Sequence, residues 1–315
     1  MEAAYVRSIQ ASGSEIYVGC SNGELLRYAL QADDPNQLGS YTLLSRQSLP
    51  GEKPIDSLIL LTGLNRVLVQ SDRQLFFYTL PSLDPVSASV MRPIRGVVAF
   101  AVDERQLNPS EVTASQPAAV DIVVVKRAAI QLYTLRDRLV YLNEIPLPGG
   151  GVSAKRSGPS LLIADKEYFS LINLETFSML PILPINQTGQ QVDFELRPHI
   201  VAIGDSEFLL VSWTGENALG VFVKGDGDPS RGTLEWPSYP ISICFDYPHI
   251  TALLQNHSVE IHNVDTQSLV QIIPPPTDDD KPVPQGLSLA TGGYIVPSAR
   301  SDKLRTKTVP LLRGS

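Results

Sequence analysis

The stretch EIYVGCSNGELLRYAL, residues 15–30, has the pattern of two short strands joined by a tight turn. EIYVGC is rich in β-branched and aromatic residues, SNG supplies turn residues, and ELLRYAL is again mainly apolar. β-Branched and aromatic residues favour strands, and Asn-Gly favours the backbone of hairpin turns. The stretch therefore predicts a β-hairpin.

The same pattern returns along the chain. Four further stretches align with the first one: RVLVQSDRQLFFYTL (66–80), DIVVVKRAAIQLYTL (121–135), SLLIADKEYFSLINL (160–174) and ITALLQNHSVEIHNV (250–264). The hairpins recur at intervals of about 40 to 55 residues, with one interval of twice that length. That long interval predicts a further unit near 195–236, where HIVAIG, EFLLVSW and LGVFVK supply three strands.

A further strand with a proline-containing exit follows each hairpin, as in LVYLNEIPLP and SLVQIIPPP. Four antiparallel strands in about 45 residues form the blade of a β-propeller. Six units cover 1–275, and SLATGGYIVPS…LRTKTVPLL (288–312) begins a seventh. We expect an all-β propeller of seven four-stranded blades, with the N-terminal strand AYVRSIQ (4–10) completing the last blade and closing the ring. A pair of β-sandwiches and a six-bladed ring are the alternatives.

The repeat predicts a single domain over 1–315. Two segments lack both the strand pattern and a core-forming pattern, namely DERQLNPSEVTASQPAA (103–119) and PPPTDDDKPVPQG (274–286). Such segments are typical of surface loops, and we expect both to be mobile.

Composition limits the class of protein. Apolar residues make up 43% of the chain and charged residues 18%, which suits a large hydrophobic core, and the net charge of −8 disfavours binding to nucleic acid phosphates. The chain shows neither a signal peptide nor an apolar run of membrane-spanning length. Cys20 and Cys244 lie in apolar strand-like runs, so we expect buried free thiols and a cytosolic protein.

The stretch GVFVKGDGDPSRGTLEWPSYP (220–240) raises the question of a ligand. Gly227 and Gly232 have the spacing of a phosphate-binding loop, but the lysine that must follow the second glycine is missing. Asp226 and Asp228 imitate the start of a calcium loop, but Pro-Ser comes next and the bidentate glutamate is absent. The stretch therefore predicts a hairpin loop rather than a nucleotide or metal site.

The remaining polar residues give no catalytic pattern. His199 and His249 occupy equivalent repeat positions in RPHI and YPHI, while His257 and His262 belong to one hairpin. The acidic run 278–280 lies among prolines, as in a solvated loop, and no G-x-S-x-G elbow is present. We therefore expect no enzyme activity, no catalytic residues, no cofactor-binding residues, no metal ligands and no small-molecule substrate.

Four stretches carry a family resemblance: EFLLVSW (207–213), LGVFVKGDGDPSRGTLEWPSYP (219–240), YPHITALLQNHSVEIHNV (247–264) and RSDKLRTKTVPLL (300–312). They resemble the citron-homology (CNH) domain. More closely, they resemble the CNH β-propeller of the CORVET and HOPS tethering-subunit family, in particular its fungal CORVET subunit. The similarity runs through most of the chain, and its most specific part is 207–264.

The resemblance implies an N-terminal propeller followed by a long α-solenoid, so that this chain would be an excised domain. It implies a non-enzymatic protein-interaction domain of an endosomal tethering complex, peripheral on endosome or vacuole membranes. The implied partners are an endosomal Rab GTPase in its GTP form and other tethering-complex subunits. It assigns no partner-binding residues. A HOPS-type vacuolar subunit and the CNH domain of a Rho exchange factor or kinase are the alternatives.

A propeller hydrolase or lyase is the alternative from another class. It would need polar residues on the inner strands, but GVVAFAV and ISICFD are mainly apolar and aromatic. This composition favours a binding module.

Overall fold

A computed structural model describes residues 4–30, 41–107, 119–275, 288–290, 293–297 and 306–310. Regular structure in these ranges is almost entirely β-strand, apart from one helical turn, α1 (Glu104–Leu107), and one 3₁₀ turn (Thr62–Leu64). No helix in the described part of the chain is long and apolar enough to cross a bilayer.

Six antiparallel sheets of four strands follow one another along the chain, and neighbouring strands in each sheet are consecutive in sequence. The first sheet contains β1 (Val6–Ser12), β2 (Glu15–Cys20), β3 (Glu24–Leu30) and β4 (Tyr41–Ser48). The second contains β5 (Ile55–Leu61), β6 (Arg66–Ser71), β7 (Gln74–Thr79) and β8 (Ile94–Arg95). The third contains β9 (Ala99–Val102), β10 (Val120–Val125), β11 (Ala129–Leu135) and β12 (Leu139–Pro146).

The later sheets repeat this arrangement. The fourth contains β13 (Ser153–Ser157), β14 (Ser160–Ala164), β15 (Tyr168–Asn173) and β16 (Met179–Pro184). The fifth contains β17 (Ile200–Gly204), β18 (Glu207–Trp213), β19 (Ala218–Lys224) and β20 (Leu234–Trp236). The sixth contains β21 (Ser242–Asp246), β22 (His249–Leu253), β23 (Val259–Asn263) and β24 (Ser268–Ile273). A seventh sheet has three strands, β25 (Ser288–Ala290), β26 (Gly293–Pro297) and β27 (Thr306–Pro310).

The apolar runs of the sequence become strands that are buried on both faces. In β18, Phe208 and Leu210 belong to the core between the fourth and fifth sheets. The alternating residues Leu209 and Val211 belong to the core between the fifth and sixth sheets. Because successive side chains of a strand point to opposite faces, a strand between two cores is apolar at every position.

Each pair of consecutive sheets from the third to the sixth encloses its own apolar core. The core between the third and fourth sheets includes Val123, Ile130, Leu161, Ile163 and Ile172. In the part of the chain that precedes residue 96, Tyr17, Leu25, Ile55, Val67 and Val69 belong to one core. These stacked cores fix the positions of the loops that join the strands.

The strand pattern confirms most of the expected repeat. All five aligned hairpins form, and the additional unit near 195–236 is the fifth sheet. The expectation of seven four-stranded blades is wrong, because within the described residues six sheets have four strands and the seventh has three. The N-terminal strand does not complete the last sheet: the described strands of that sheet are β25, β26 and β27, whereas β1 belongs to the first sheet and pairs with β2 from Ser12 opposite Glu15. The two-residue turn between them makes this local pairing far cheaper in chain entropy than pairing with a distant strand.

The chain divides into two compact units. The first comprises 1–95, 256–259 and 271–315, and the second comprises 96–255 and 260–270. The single domain over 1–315 remains a prediction.

The two segments expected as mobile loops are described only at their ends. In the segment 103–119, residues 103–107 are ordered by hydrogen bonds and contain α1, and 108–118 lie outside the described residues. In the segment 274–286, residues 276–286 lie outside them.

Candidate interaction surface

His199 and His262 pack against neighbouring residues of the core, as structural histidines do. His199 is half-buried, with its Nε2 2.8 Å from the carbonyl oxygen of Pro240, and the loss of water around its ring lowers its pKa to about 4. His262 packs edge-on against Trp236 at 5.6 Å, and burial likewise lowers its pKa to about 4. Among the described residues, no group of three His, Cys, Asp or Glu side chains could hold a metal ion.

The two cysteines are free thiols. Cys20 is buried as expected, and burial raises its pKa to about 12. Cys244 is only half-buried, so the expectation of burial fails there.

The glycine-rich stretch 220–240 forms the strand β19, a turn and the strand β20. The amide of Lys224 donates to the carbonyl of Asp228, and the amide of Gly227 donates back to the carbonyl of Lys224, both at 2.9 Å. These bonds make a hairpin turn, as the sequence predicted. Asp226 accepts a hydrogen bond from the backbone of Asp228 at 3.0 Å, so its carboxylate closes the turn.

Asp103 anchors the loop that leaves the third sheet. Its side chain is 1% exposed and accepts hydrogen bonds of 3.1 to 3.2 Å from the backbone and guanidinium of Arg105 and from the backbone of Gly158. Gly158 follows β13, so this carboxylate ties the third sheet to the fourth. The sequence pattern placed Asp103 in a mobile segment and missed this role.

The protonation of Asp103 reflects two opposing effects. Burial alone would raise the pKa of its carboxyl group, because the charged form loses water. The hydrogen bonds from Arg105 and from the two backbone amides outweigh burial, and the net pKa lies below its ordinary value. Asp103 is therefore a buried carboxylate, held in its charged form.

Two further ion pairs extend this contact. Arg156 donates from Nη2 to Asp121 at 2.9 Å and from Nε to the carbonyl of Gly158 at 2.9 Å. Lys155 Nζ lies 2.6 Å from a carboxylate oxygen of Glu104 in α1. The start of the loop is thus fixed by charges from β10, β13 and α1.

Serine hydroxyls connect the fourth sheet to the fifth. Ser157 donates to the carbonyl of Gly204 at 3.0 Å, and its oxygen accepts from the amide of Ser206 at 3.0 Å. Gly225 of the next turn lies against Ser160 and Ser206, where a side chain would not fit. The turns of the two sheets therefore form one continuous hydrogen-bonded and packed surface.

Arg231 connects the fifth sheet to the sixth. Its Nε and Nη2 bind both carboxylate oxygens of Glu207, at 2.8 and 3.0 Å, and its Nη1 binds Asp265 at 2.7 Å. The guanidinium also lies 5.8 Å from the ring centre of Phe222, and Tyr247 donates to the other oxygen of Asp265 at 2.7 Å. A planar guanidinium suits this geometry because it can bind one carboxylate through two donors and still reach a second.

These contacts shift the pKa values of the ionisable groups. The hydrogen bond from Arg231 lowers the pKa of Glu207, and the carboxylates of Glu207 and Asp265 raise the pKa of Arg231. All three groups are consequently charged at neutral pH, and each charge is already paired inside the network.

We call residues 103–107, 155–160, 204–206 and 225–231 the loop surface. Its framework is rigid, because buried or half-buried charges and serine hydroxyls join consecutive sheets. Its outer side carries the partly exposed cations Arg105 and Lys155 and the exposed carboxylates of Asp205, Asp226 and Asp228. Fixed charges of both signs on a rigid base suit the recognition of another protein surface.

One signal in the sequence could have revealed part of this arrangement. The turn NLETFS (173–178) returns as NVDTQS (263–268), and the second copy contains the Asp265 that binds Arg231. An alignment of the turns, rather than of the strands alone, would have exposed that repeat. No comparable signal marks Asp103, because its partner Gly158 lies in a turn of the next sheet, far along the chain.

Comparison with known proteins agrees with the resemblance and with the fold. The model of the CNH domain family matches residues 12–279. The solved AfRom2 CNH domain is similar with a TM-score of 0.54 and 17% identity, covering 94% of this chain and 91% of that one. The all-β propeller fold is thereby confirmed.

Several curated relatives match the chain, among them the following two. Transforming growth factor-beta receptor-associated protein 1 of Mus musculus is 24% identical over 85% of this chain and 30% of its own length. Vacuolar protein sorting-associated protein 3 of Saccharomyces cerevisiae is 23% identical over 95% of this chain and 27% of its own length. This chain thus spans less than a third of each relative. The matched range, the fold and these relatives show that the chain belongs to the CNH domain family.

Proposed function

We propose that this chain is the non-enzymatic protein-interaction propeller of a CORVET-like tethering subunit, acting in Rab-dependent tethering and fusion on the route from endosome to vacuole. Its partners are an endosomal Rab GTPase in the GTP form and other subunits of the complex. It works in the cytoplasm, peripherally on endosome or vacuole membranes, and its contact with the membrane is indirect. The observation that carries the proposal is the similarity to a vacuolar protein sorting-associated protein over 95% of this chain.

The loop surface supplies a physical means for this role. Recognition of a GTP-bound partner requires a surface that keeps its shape while it discriminates between two partner conformations. The paired charges of Asp103, Glu207 and Arg231 hold the turns of four consecutive sheets, from the third to the sixth, in fixed positions. Exposed carboxylates at Asp205, Asp226 and Asp228 add charge that can select a partner.

In the proposed mechanism, the propeller acts by holding its partners in position. A tethering subunit brings two membranes together by holding partners on each of them, and several weak contacts in one complex act together through their high effective concentration. Moderate affinity of a single propeller for its Rab is sufficient in such an assembly.

Direct binding tests the proposal. We expect the purified chain to bind an early-endosomal Rab loaded with a non-hydrolysable GTP analogue, and to bind the GDP form at least about tenfold more weakly, as measured by calorimetry. Equal binding of the two forms, or no binding of either, would contradict direct Rab recognition. Stronger binding of a vacuolar Rab would favour the HOPS-type alternative.

Charge reversal then locates the site. Asp228→Lys reverses an exposed charge in the turn between β19 and β20 and keeps the Asp226 carboxylate that closes it, and we expect about a tenfold loss of Rab affinity. Glu216→Lys is the matched control, because Glu216 is exposed in the turn at the opposite end of β19. An equal loss in both variants would indicate a general effect of net charge rather than binding at the loop surface.

A further inference from the structure

One turn occurs twice in the second unit. In the fourth sheet, the side chain of Asn173 accepts hydrogen bonds from the amides of Glu175 and Thr176 at 2.9 and 3.0 Å. In the sixth sheet, Asn263 accepts from the two equivalent amides at 2.8 and 3.0 Å. Phe177 and Gln267 occupy the same position of the turn, with φ of 58° and 55°. The backbone is therefore the same in both copies, and only the side chain differs.

The copy in the sixth sheet has neighbours from the fifth sheet. Gly232 packs against the amide group of Gln267, and Arg231 binds Asp265. Both residues come from the long connection between β19 and β20. That connection also covers the rim between the fourth and fifth sheets, since a Cβ at Gly227 would lie 2.6 Å from Leu180 Cδ2.

The copy in the fourth sheet faces a much shorter connection. The preceding sheet joins β11 to β12 through residues 136–138 only. Phe177 is 47% exposed, although it is large and apolar. A bulky residue with positive φ is uncommon, and at this exposed turn only about half of its surface is removed from water. The equivalent turn of the sixth sheet has Gln267 at this position, so the turn itself does not require a phenylalanine. The presence of Phe177 therefore needs another explanation.

Two apolar side chains on the outer strands β12 and β16 lie at the edge of the core between the third and fourth sheets. Val140 pairs with Thr134, which places it on the sheet face of Leu132, a residue packed against the core between the third and fourth sheets. Met179 pairs with Ile172, a member of that core. Val140 is 50% and Met179 53% exposed. Val140 and Met179 thus extend the edge of this core into solvent, and Phe177 adds a third exposed apolar side chain from the turn that precedes Met179; we call these three residues and Leu132 the side groove.

Charge at one end of the side groove indicates the chemistry of its occupant. The turn 136–138 is exposed and contains Arg136 and Arg138 beside a single acid, Asp137. Arg138 lies two residues before Val140 in the chain. An occupant with carboxylates beside this turn and apolar side chains along the groove would match both features.

We propose that the side groove binds a short extended segment of a partner protein that carries two or three apolar residues flanked by aspartate or glutamate. The segment places its apolar side chains on Val140, Phe177 and Met179 and its carboxylates beside Arg136 and Arg138. This site is separate from the loop surface and does not depend on the Rab proposal.

The probe is an array of synthetic seven-residue peptides, each with two or three Leu, Ile or Phe among Asp and Glu. Matched arrays replace the acids by Lys, or the apolar residues by Ser. We expect the purified chain to bind members of the acidic-apolar array, and not the other two. The best peptide, labelled with fluorescein, then gives a dissociation constant by fluorescence anisotropy.

Three variants test the location. Phe177→Gln combined with Met179→Thr should weaken the labelled peptide at least about tenfold, as expected for loss of a central apolar contact. Arg138→Glu should weaken it severalfold and more at low salt than at high salt. Leu269→Thr is the matched control, since Leu269 is the equivalent of Met179 in the sixth sheet and is 47% exposed. It should leave the affinity unchanged.

The turn that contains Gln267 shows that Phe177→Gln is compatible with the fold, and circular dichroism of each variant checks this. The proposal is overturned if no acidic-apolar peptide binds, if the lysine array binds equally well, or if the Phe177 and Met179 variant binds as the original does. Self-association of the chain that disappears in this variant would show instead that a second copy occupies the groove, which also overturns it.

Discussion

Two arginine–carboxylate networks join consecutive sheets of the second unit, and they differ in burial rather than in the number of bonds. Asp103 receives four hydrogen bonds in the first network, and Arg231 donates four in the second. The side chain of Asp103 is 1% exposed, whereas that of Arg231 is 26% exposed and that of its partner Asp265 is 42% exposed. One ion is enclosed by protein, and the other borders solvent.

This difference should decide how much each network contributes to the free energy of unfolding. Water competes with the partners of an exposed ion and solvates the group that remains when a partner is removed. A buried network has no such substitute, so its loss leaves polar groups without any partner. Burial, and not the count of hydrogen bonds, should therefore set the order of the following effects.

Asp103→Ala should give the largest loss, about 3 to 4 kcal/mol of the free energy of unfolding in urea. It leaves the amides of Gly158 and Arg105 without an acceptor at a buried position. Asp103→Asn keeps an acceptor oxygen and should lose about half as much. A loss smaller than that of Arg231→Ala would refute the order based on burial.

As the pH falls, His199 and His262 should be protonated first, and the carboxylates of the two networks only at lower pH. The folded-state pKa of His199 is about 4, below its usual value of about 6.5, so its contribution is complete above pH 6.5 and is lost as the pH falls to 4. The expected loss is about 2 kcal/mol, because water that reaches the half-buried ring screens part of the effect. Asp103 and Glu207 have lowered pKa values, so their contribution is present above about pH 4 and is lost as the pH falls further.

Urea unfolding at a series of pH values measures these two steps. His199→Gln should reduce the slope of the stability profile between pH 6.5 and 4 by about half, because His262 titrates over the same range, and should leave the step below pH 4 in place. Should the profile keep its slope in this variant, the assignment of the first step to His199 would be wrong.

Gly158→Ala should cost about 2 kcal/mol. Gly158 has φ of 59°, and a methyl group there would push the guanidinium of Arg105 away from Asp103. Gly204→Ala is the matched control, because Gly204 has no such φ and no atom within 4 Å of the added carbon. Differential scanning calorimetry should show a lower melting temperature for the first variant only; equal shifts would contradict the role of Gly158.

Arg231→Ala should have the smallest effect of the four, about 1.5 kcal/mol, because its network is half open to water. Arg231→Lys should lose about 1 kcal/mol, since an ammonium group cannot bind Glu207 through two parallel donors. Arg197→Ala, which removes a pair with Glu195 that is exposed on both sides, should change urea stability hardly at all. A loss above that of Asp103→Ala would show that burial does not set the order of these effects.

The fold could be predicted in large part because its signal is local. Each hairpin needs only a run of strand-forming residues, a turn and a second run, and repetition of that pattern gives the six four-stranded sheets. The seventh sheet lies where the sequence predicted it, but its number of strands and its closure by residues 4–10 were predicted wrongly, because they depend on which distant segments pair. The pairing of β1 with β2 was decided by a two-residue turn, and the expected closure by residues 4–10 lost to it.

The networks and the side groove could not be predicted in the same way. Asp103 and Gly158 are far apart in the chain, and Arg231 and Asp265 lie in different sheets, so no periodicity relates them. Phe177 and Gln267 occupy identical turns and are both exposed, and what distinguishes Gln267 is its contact with Gly232 in the long connection of the neighbouring sheet.

The sequence alone determined the repeated strands, the turns and the family, because alternating apolar residues and turn residues act over a few positions. The tertiary structure decided which charges are buried, which loops support one another and which apolar side chains remain in solvent. The physical reason is that burial is a property of the stacked sheets. A residue in a strand becomes buried only when neighbouring sheets pack against its own sheet.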